Sequence, residues 1–196
     1  TYKKQINYYN QVDYNTTGYC GRTPGAYAYY GCNTNTICTS GCGGTSLAIV
    51  ASTMKQDTSI TPITIMPTIK GFGGCGEGVS GTTIQGIIKA AQTFGLKAYH
   101  TYDTKDVASK LSSGDYLVIA NVTKSEFTGG GHYIVLSGYN NGQVYVVDPN
   151  GGAKTSMPNS QEIPSKITGR VRNGWWQESA VFDYATKNGY IVISMQ

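Results

Sequence analysis

One of the five cysteines, one of the two histidines and a carboxylate lie in sequence surroundings that suit nucleophilic chemistry. Cys42 lies in the segment Ser-Gly-Cys-Gly-Gly-Thr-Ser, directly before an apolar stretch. His132 follows three glycines and begins the run His-Tyr-Ile-Val-Leu, and Asp148 ends the next β-rich segment. A cysteine, a histidine and an orienting acid are the groups needed for acyl transfer through a thioester.

The surroundings of Cys42 predict a reactive thiol at the start of a helix. Helical spacing of apolar residues begins at Cys42, and a helix N-terminus lowers a thiol pKa through its unpaired N–H groups and its dipole. The flanking glycines 41, 43 and 44 leave the backbone open to a substrate carbonyl. The backbone N–H of Cys42 can then contribute to an oxyanion hole. The alternative is a buried structural cysteine or a disulfide partner.

His132 is the better candidate of the two histidines for a catalytic base. The glycines before it leave the imidazole free to reach a bound substrate, and the apolar run after it predicts a strand. The other histidine, His100, lies in the polar stretch Tyr-His-Thr-Tyr. We interpret His100 as structural or surface-exposed.

Asp148 is predicted to orient the imidazole of His132. The turn Asn-Asn-Gly at 140–142 separates two β-rich runs and indicates a hairpin. The returning strand can therefore bring Asp148 beside His132 and fix the tautomer of the ring. Alternatively, Asp148 is an ordinary turn residue within Asp-Pro-Asn-Gly-Gly, and Asn140 or Asn150 orients the histidine.

The elements that must position these groups follow an α+β order, with helices before antiparallel strands. Residues 1–39 are predicted as an extended segment and a long loop, residues 56–80 as irregular structure, and Trp175-Trp176 as part of a loop. Helices are predicted from Cys42 onward, from Thr82 or Thr83 to Gly95, and over 104–111. Strands are predicted over 116–122, 132–139, 143–147 and 190–194.

Composition restricts the class of protein. The 196 residues predict one domain, which begins at Thr1 as a mature form or as a domain excised from a larger protein. Charged residues make up 13% of the chain and the net charge is +4, with Lys and Arg scattered. This pattern argues against a nucleic-acid partner. No apolar run has the length of a membrane span, and the sequence implies no cofactor or metal.

The four remaining cysteines, Cys20, Cys32, Cys38 and Cys75, predict disulfides. An even number permits two bridges, and their pairing stays open among three arrangements. Disulfides would place the protein outside the cytosol. A zinc site is the less favoured alternative, because the chain has no Cys-x-x-Cys pair and only two histidines.

Four segments together resemble the C39-like branch of the papain-like cysteine peptidases. They are residues 6–14 (Ile-Asn-Tyr-Tyr-Asn-Gln-Val-Asp-Tyr), 40–46, 131–139 and 144–149. The resemblance implies a papain-like fold in which N-terminal helices pack on a C-terminal antiparallel sheet. It also implies that Cys42 is the nucleophile, His132 the base and then the acid, Asp148 the orienting residue, and Gln11 a donor to the oxyanion. The family often has proline where this chain has Gly44.

These features predict a secreted or cell-surface bacterial or phage-borne hydrolase that cleaves amide bonds of peptidoglycan, as an endopeptidase or an amidase. Peptidoglycan stem or cross-bridge peptides are the expected substrate. One alternative is a peptidase for proteins or double-glycine leader peptides, since leader peptidases share the branch but are usually cytosolic parts of transporters. A second is a transglutaminase-like acyltransferase, in which an amine resolves the thioester. A non-catalytic binding module is a third.

Overall fold

Most of the helices lie in the N-terminal half of the chain and most of the strands in the C-terminal half, the order that the sequence predicts. The computed structural model describes residues 1–29, 31–151 and 173–196. Its α-helices are α1 (Ile37–Ser40), α2 (Cys42–Lys55), α3 (Pro62–Gly71), α4 (Ile84–Thr93) and α5 (Thr104–Ser113). Short 3-10 turns span Gln11–Asp13 and Tyr19–Gly21, and a π-helical turn spans Ala180–Ala185.

The described residues form two antiparallel sheets. The small one pairs β1 (Tyr27–Tyr29) with β2 (Cys32–Asn33). The strands of the large one are β3 (Leu96–Thr101), β4 (Tyr116–Val122), β5 (His132–Asn140), β6 (Gln143–Val147), β7 (Gly174–Gln177) and β8 (Thr186–Met195). Their order across the sheet is β3-β8-β4-β5-β6-β7. The predicted hairpin joins β5 to β6, with Asn140 paired to Gln143 and positive φ at Asn141 and Gly142.

The large sheet has an apolar layer on each face. Helices α2, α3 and α4 cover one face, where Leu47 and Ile49 of α2 are completely buried. Helix α5 covers part of the other face with Val107 and Leu111. Burying a leucine or isoleucine side chain contributes about 1.5–3 kcal/mol. These contacts fix α2, and with it the position of Cys42, against the sheet.

The N-terminal segment crosses the molecule in an extended conformation and is held by backbone hydrogen bonds. The Tyr2 N–H donates to the carbonyl of Ser137 on β5 (2.7 Å). Further along, the Asn7 N–H donates to Thr53 Oγ1 on α2 (2.8 Å). The Gln11 N–H donates to the carbonyl of Pro149 (2.8 Å). Gln11 is therefore attached to the segment that follows β6.

Part of the region predicted as irregular is helical. Helix α3 contains two prolines, but Pro62 occupies the start of the helix, where its missing N–H costs nothing. Thr61 caps that end, since its hydroxyl accepts from the Thr64 N–H and its own N–H donates to Thr64 Oγ1. Pro67 lies on the exposed face. The prediction for residues 56–80 is wrong over α3.

Four strands were not predicted. Strands β1 and β2 lie within residues 1–39, for which an extended segment and a long loop were expected. Strand β3 pairs with β8 over its whole length, from Leu96 opposite Met195 to Thr101 opposite Tyr190. Trp175 and Trp176 lie in β7 rather than in a loop, paired with β6 at the edge of the large sheet. The loop prediction for this tryptophan pair is therefore wrong.

The four cysteines other than Cys42 form two disulfides, Cys20–Cys75 and Cys32–Cys38. The prediction of disulfides rather than zinc ligands is confirmed, and the pairing is settled. Cys42 is left as the free thiol of the chain. Over the described ranges 1–29, 31–151 and 173–196, no helix has the length and apolarity needed to span a membrane.

Candidate active site

Cys42 is the N-terminal residue of α2, as predicted. Gly41 precedes it as the N-cap, and no side chain caps this end of the helix. The neighbouring glycines permit close packing around the thiol. A Cβ at Gly43 would lie 2.7 Å from Thr82 Cβ, and a Cβ at Gly44 would overlap the terminal methyl group of Met66. The glycine at 44, where the family often has proline, therefore accommodates Met66.

His132 is the first residue of β5 and is largely buried. Its Nε2 lies 2.7 Å from Asp148 Oδ1. Because Nε2 is engaged by the carboxylate, Nδ1 is the nitrogen that serves the thiol of Cys42. A carboxylate on one ring nitrogen holds the proton there and leaves the other nitrogen to exchange a proton with the nucleophile.

Asp148 directly follows the last residue of β6 and is completely buried. Its Oδ1 also accepts the N–H of Asn150 (2.8 Å). Both backbone polar groups of Asp148 are hydrogen-bonded. Its N–H donates to Asn173 Oδ1 (2.6 Å), and its carbonyl accepts from the Tyr8 hydroxyl (2.6 Å). Asp148, rather than Asn140 or Asn150, is thus the side chain that contacts the imidazole.

The electrostatics of the site favour a thiolate–imidazolium pair. Burial alone raises the pKa of the Cys42 thiol, but the charge and hydrogen bond of His132 and the backbone hydrogen bond of Tyr133 outweigh it, so that the pKa is lowered. Burial alone lowers the pKa of His132, but Asp148 and Cys42 together raise it to about 9. Both shifts therefore favour the charged forms of the two groups, the thiolate and the imidazolium.

Gln11 is buried in the 3-10 turn Gln11–Asp13, next to α1. Its Nε2 donates to the carbonyl of Cys38 (3.0 Å). An amide nitrogen has a second hydrogen, which remains for another acceptor. The structure places Gln11 against the helix that leads into Cys42, and its predicted role as a donor to the oxyanion stays a prediction.

An open cleft of about 590 Å³ lies beside the thiol. Cys42 lines it together with residues from four other stretches of the chain: Tyr19 and Arg22, Thr39 and Ser40, residues 78–81, and Gly131. Small or backbone groups form much of this surface, so that an extended peptide chain has access to the thiol.

Hydrogen bonds and a disulfide hold the segments that line the cleft. Cys20–Cys75 joins the turn at Tyr19–Gly21 to the glycine-rich loop of residues 73–81. Tyr19 donates its hydroxyl to the carbonyl of Gly81, and the Tyr133 hydroxyl donates to the carbonyl of Thr82 (2.6 Å). These contacts keep the loop at a fixed position relative to Cys42.

His100 is remote from this chemistry, as expected for a structural or surface histidine. Its Nε2 contacts the carbonyl of Asn188 (2.8 Å), and its ring packs edge-on against Tyr102. Asn140 is exposed at the far end of β5. In the part of the chain that the structure describes, no group of three His, Cys, Asp or Glu side chains is arranged to hold a metal ion.

Some residues of the site could not be identified from the sequence. Asn173, which fixes the backbone of Asp148, lies 25 residues after it, and none of the sequence motifs extends that far. The N–H of Tyr133 acts through the backbone, which residue type does not reveal. Tyr8 belongs to the recognised segment 6–14, but nothing in that pattern distinguishes it from Tyr9 or Tyr14.

A free thiol at a helix N-terminus, paired with a histidine on a facing antiparallel sheet, defines a papain-like cysteine peptidase. The profile of the "Peptidase_C39 like family" matches residues 3–164. The chain belongs to this family, and the expected fold and enzyme class are confirmed.

Solved structures resemble the chain at low sequence identity. The peptidase domain of Streptococcus ComA, a bifunctional ABC transporter of a quorum-sensing pathway, is 20% identical with a TM-score of 0.54. The match covers 81% of this chain and 93% of that one. A double-glycine motif protease from an AMS/PCAT transporter, in complex with its leader peptide, is 16% identical with a TM-score of 0.46, covering 79% and 84%. No curated protein sequence matches significantly.

Proposed function

We propose that this chain is a secreted cysteine hydrolase that cleaves amide bonds of bacterial peptidoglycan, as an endopeptidase or an amidase. The observation that carries the chemistry is the 2.7 Å contact between His132 Nε2 and Asp148 Oδ1, with Cys42 on the other side of the imidazole. This arrangement lowers the pKa of the Cys42 thiol and raises that of His132, which favours a thiolate beside an imidazolium that can donate a proton.

In the first half of the reaction, the Cys42 thiolate attacks the amide carbonyl and an S–C bond forms. The backbone N–H of Cys42 and the side chain of Gln11 stabilise the oxyanion. Collapse of the tetrahedral intermediate breaks the C–N bond, and the His132 imidazolium gives its Nδ1 proton to the leaving amine. The products are a free amine and a thioester on Cys42.

In the second half, water resolves the thioester. Neutral His132 removes a proton from water, and the hydroxide attacks the thioester carbonyl. The C–S bond breaks and releases a carboxylic acid, and the proton taken up by His132 restores the thiolate–imidazolium pair. Asp148 stabilises the imidazolium in both halves.

Three features support an extracellular wall substrate. Cys20–Cys75 and Cys32–Cys38 are typical of proteins in oxidising compartments. The net charge of +4 favours encounter with a polyanionic cell wall, because long-range attraction raises association rates. The open cleft beside Cys42 accommodates a peptide attached to a larger polymer.

A second candidate keeps the chemistry and changes the substrate to a protein or a double-glycine leader peptide. Its support is the likeness of fold to the ComA peptidase domain. The two disulfides weigh against it, because disulfides are rare in the reducing cytosol, where leader peptidases of this branch are usually found. A third candidate, an acyltransferase, differs only in the nucleophile that resolves the thioester.

The test is digestion of purified Gram-positive peptidoglycan with the wild type and with Cys42→Ala, followed by mass spectrometry of the released fragments. We expect fragments from the wild type alone, with termini that identify the hydrolysed bond. A leader-bearing peptide in a parallel reaction tests the second candidate, and amine adducts would indicate an acyltransferase.

Two controls separate failure of the chemistry from failure of the substrate assignment. Activity that is lost on chelation and survives alkylation of Cys42 would contradict a thiol mechanism. An enzyme that leaves the wall intact but cleaves the leader peptide, and loses that activity in Cys42→Ala, would retain the mechanism and overturn the wall assignment.

A further inference from the structure

Arg22 is a cationic side chain in the cleft that the proposed mechanism does not use. It is partly buried and lines the cleft together with Cys42. It directly follows the turn Tyr19–Gly21, and its own N–H donates to the carbonyl of Tyr19 (3.0 Å). This hydrogen bond fixes the backbone of Arg22 relative to the turn.

The guanidinium is held by one of its terminal nitrogens. Nη2 donates to the carbonyls of Gly76 (2.7 Å) and Val79 (3.2 Å) on the glycine-rich loop. The ring of Tyr19 lies 6.0 Å from the guanidinium carbon, within the range of a cation–π contact. A long flexible side chain held at several points has lost much of its conformational entropy before a ligand arrives, which favours recognition.

Among the residues that the structure describes, the charge of Arg22 has no ionic partner. None of the ion pairs in residues 1–29, 31–151 and 173–196 includes it. Over the same residues, its side-chain hydrogen bonds involve Nη2 only, which leaves the donors on Nε and Nη1. A guanidinium with open donors inside a cleft is suited to a carboxylate, to which it gives charge-assisted hydrogen bonds.

We infer that Arg22 is a specificity-determining residue that binds a carboxylate of the substrate next to the scissile amide. The inference rests on the proposed function, because it names the chemical class of substrate for the same site: a peptide with a free carboxylate close to the hydrolysed bond. That carboxylate belongs either to an acidic side chain or to a chain terminus, and the two share the chemistry that Arg22 recognises.

The test measures alkylation of Cys42 and needs no knowledge of the natural substrate. Matched pairs of iodoacetyl reagents place a carboxylate or its neutral amide at the same distance from the reactive carbon. N-iodoacetylglycine with its amide represents a terminus, and N-iodoacetylglutamic acid α-amide with N-iodoacetylglutaminamide represents a side chain. In each reaction the Cys42 sulfur displaces iodide and forms an S–CH2 bond.

For at least one pair, we expect Arg22→Gln to lower the acid-to-neutral rate ratio about tenfold, the effect of one charge-assisted hydrogen bond. The pair that responds identifies the source of the carboxylate. Arg22→Lys retains the charge and should keep the larger part of the preference. Lys97→Gln removes an equal charge from β3 at the far edge of the sheet and should leave both ratios unchanged.

The neutral reagents report whether a variant keeps a working Cys42–His132 pair. If Arg22→Gln disturbs the loop, the wild type itself supplies the test: N-acetylglycine or N-acetylglutamic acid α-amide should protect Arg22 from phenylglyoxal, and the corresponding neutral amides should not.

Unchanged ratios for both pairs in a reactive Arg22→Gln variant, or equal phenylglyoxal labelling with acid and amide, would overturn the inference. Neither result depends on peptidase activity. Failure of the proposed function would appear separately, as intact peptidoglycan in the digestion.

Discussion

His132 Nε2 and Asp148 Oδ1 lie 2.7 Å apart and join the first residue of β5 to the residue that follows β6. The antiparallel pairing of these two strands brings the ends together, with Val135 opposite Val147. Asp148 in turn is fixed by Asn173 and Tyr8. The carboxylate therefore controls both the orientation and the charge of the imidazole.

Asp148→Asn should separate orientation from charge. An asparagine Oδ1 can accept the same hydrogen bonds from His132 and Asn150, so we expect kcat/KM to fall about tenfold, against about a hundredfold or more for Asp148→Ala. Loss of the carboxylate charge removes a cause of the raised pKa of His132. The basic limb of the pH–rate profile should therefore move to lower pH.

Steady-state kinetics of both variants, with soluble peptidoglycan peptides as the substrate, would measure these effects. Equal losses in Asp148→Asn and Asp148→Ala would mean that orientation contributes little. An unshifted basic limb in Asp148→Asn would contradict the assignment of Asp148 as the group that raises the pKa of His132.

The two disulfides should contribute unequally to stability. Cys20 and Cys75 are separated by 55 residues and Cys32 and Cys38 by 6. Loop-closure entropy assigns about 4 kcal/mol to the longer loop and about 2 kcal/mol to the shorter one. Denaturant unfolding should therefore show a larger loss of unfolding free energy for Cys20→Ala/Cys75→Ala than for Cys32→Ala/Cys38→Ala.

The same variants test the role of Cys20–Cys75 at the cleft. Because this bridge joins two segments that line the cleft, its removal should raise KM more than removal of the other bridge. A variant without Cys20–Cys75 that retains both its stability and its KM would contradict this account.

Asn173→Ala should impair catalysis through its effect on Asp148 and not through a contact with the substrate. The change leaves the buried N–H of Asp148 without its acceptor, which costs about 1–3 kcal/mol and loosens the carboxylate. We expect kcat to fall while KM changes little, because Asn173 acts as a positioning residue. Asn188→Ala, at an exposed position, is the matched control and should change neither constant. A rise in KM with unchanged kcat would argue against the positioning role.

Regular patterns predicted the elements that hold the site. The helical spacing after Cys42 and the β-branched run after His132 are local signals, and both correspond to elements of the structure. The Asn-Asn-Gly turn predicted the hairpin because these residues accept positive φ. The contact between His132 and Asp148 could therefore be anticipated from the chain alone.

What escaped prediction depends on contacts between distant segments. Helix α3 was not predicted because a proline usually interrupts a helix, whereas Pro62 begins this one. Strand β3 has little alternation, and its partner β8 is almost at the other end of the chain. Asn173 acquires its role only when β7 is added beside β6. Such relationships are set by tertiary packing.

The central claim is that His132 holds Cys42 as a thiolate, and the pH dependence of alkylation by iodoacetamide tests it most directly. Cys42 is the only cysteine outside the disulfides, so its rate is measured without interference. In the wild type, the rate should rise through a pKa below that of an ordinary thiol, about 8.5. In His132→Ala, burial acts without the compensating charge, and the pKa should lie above that value. One ordinary thiol pKa shared by both proteins would contradict the account.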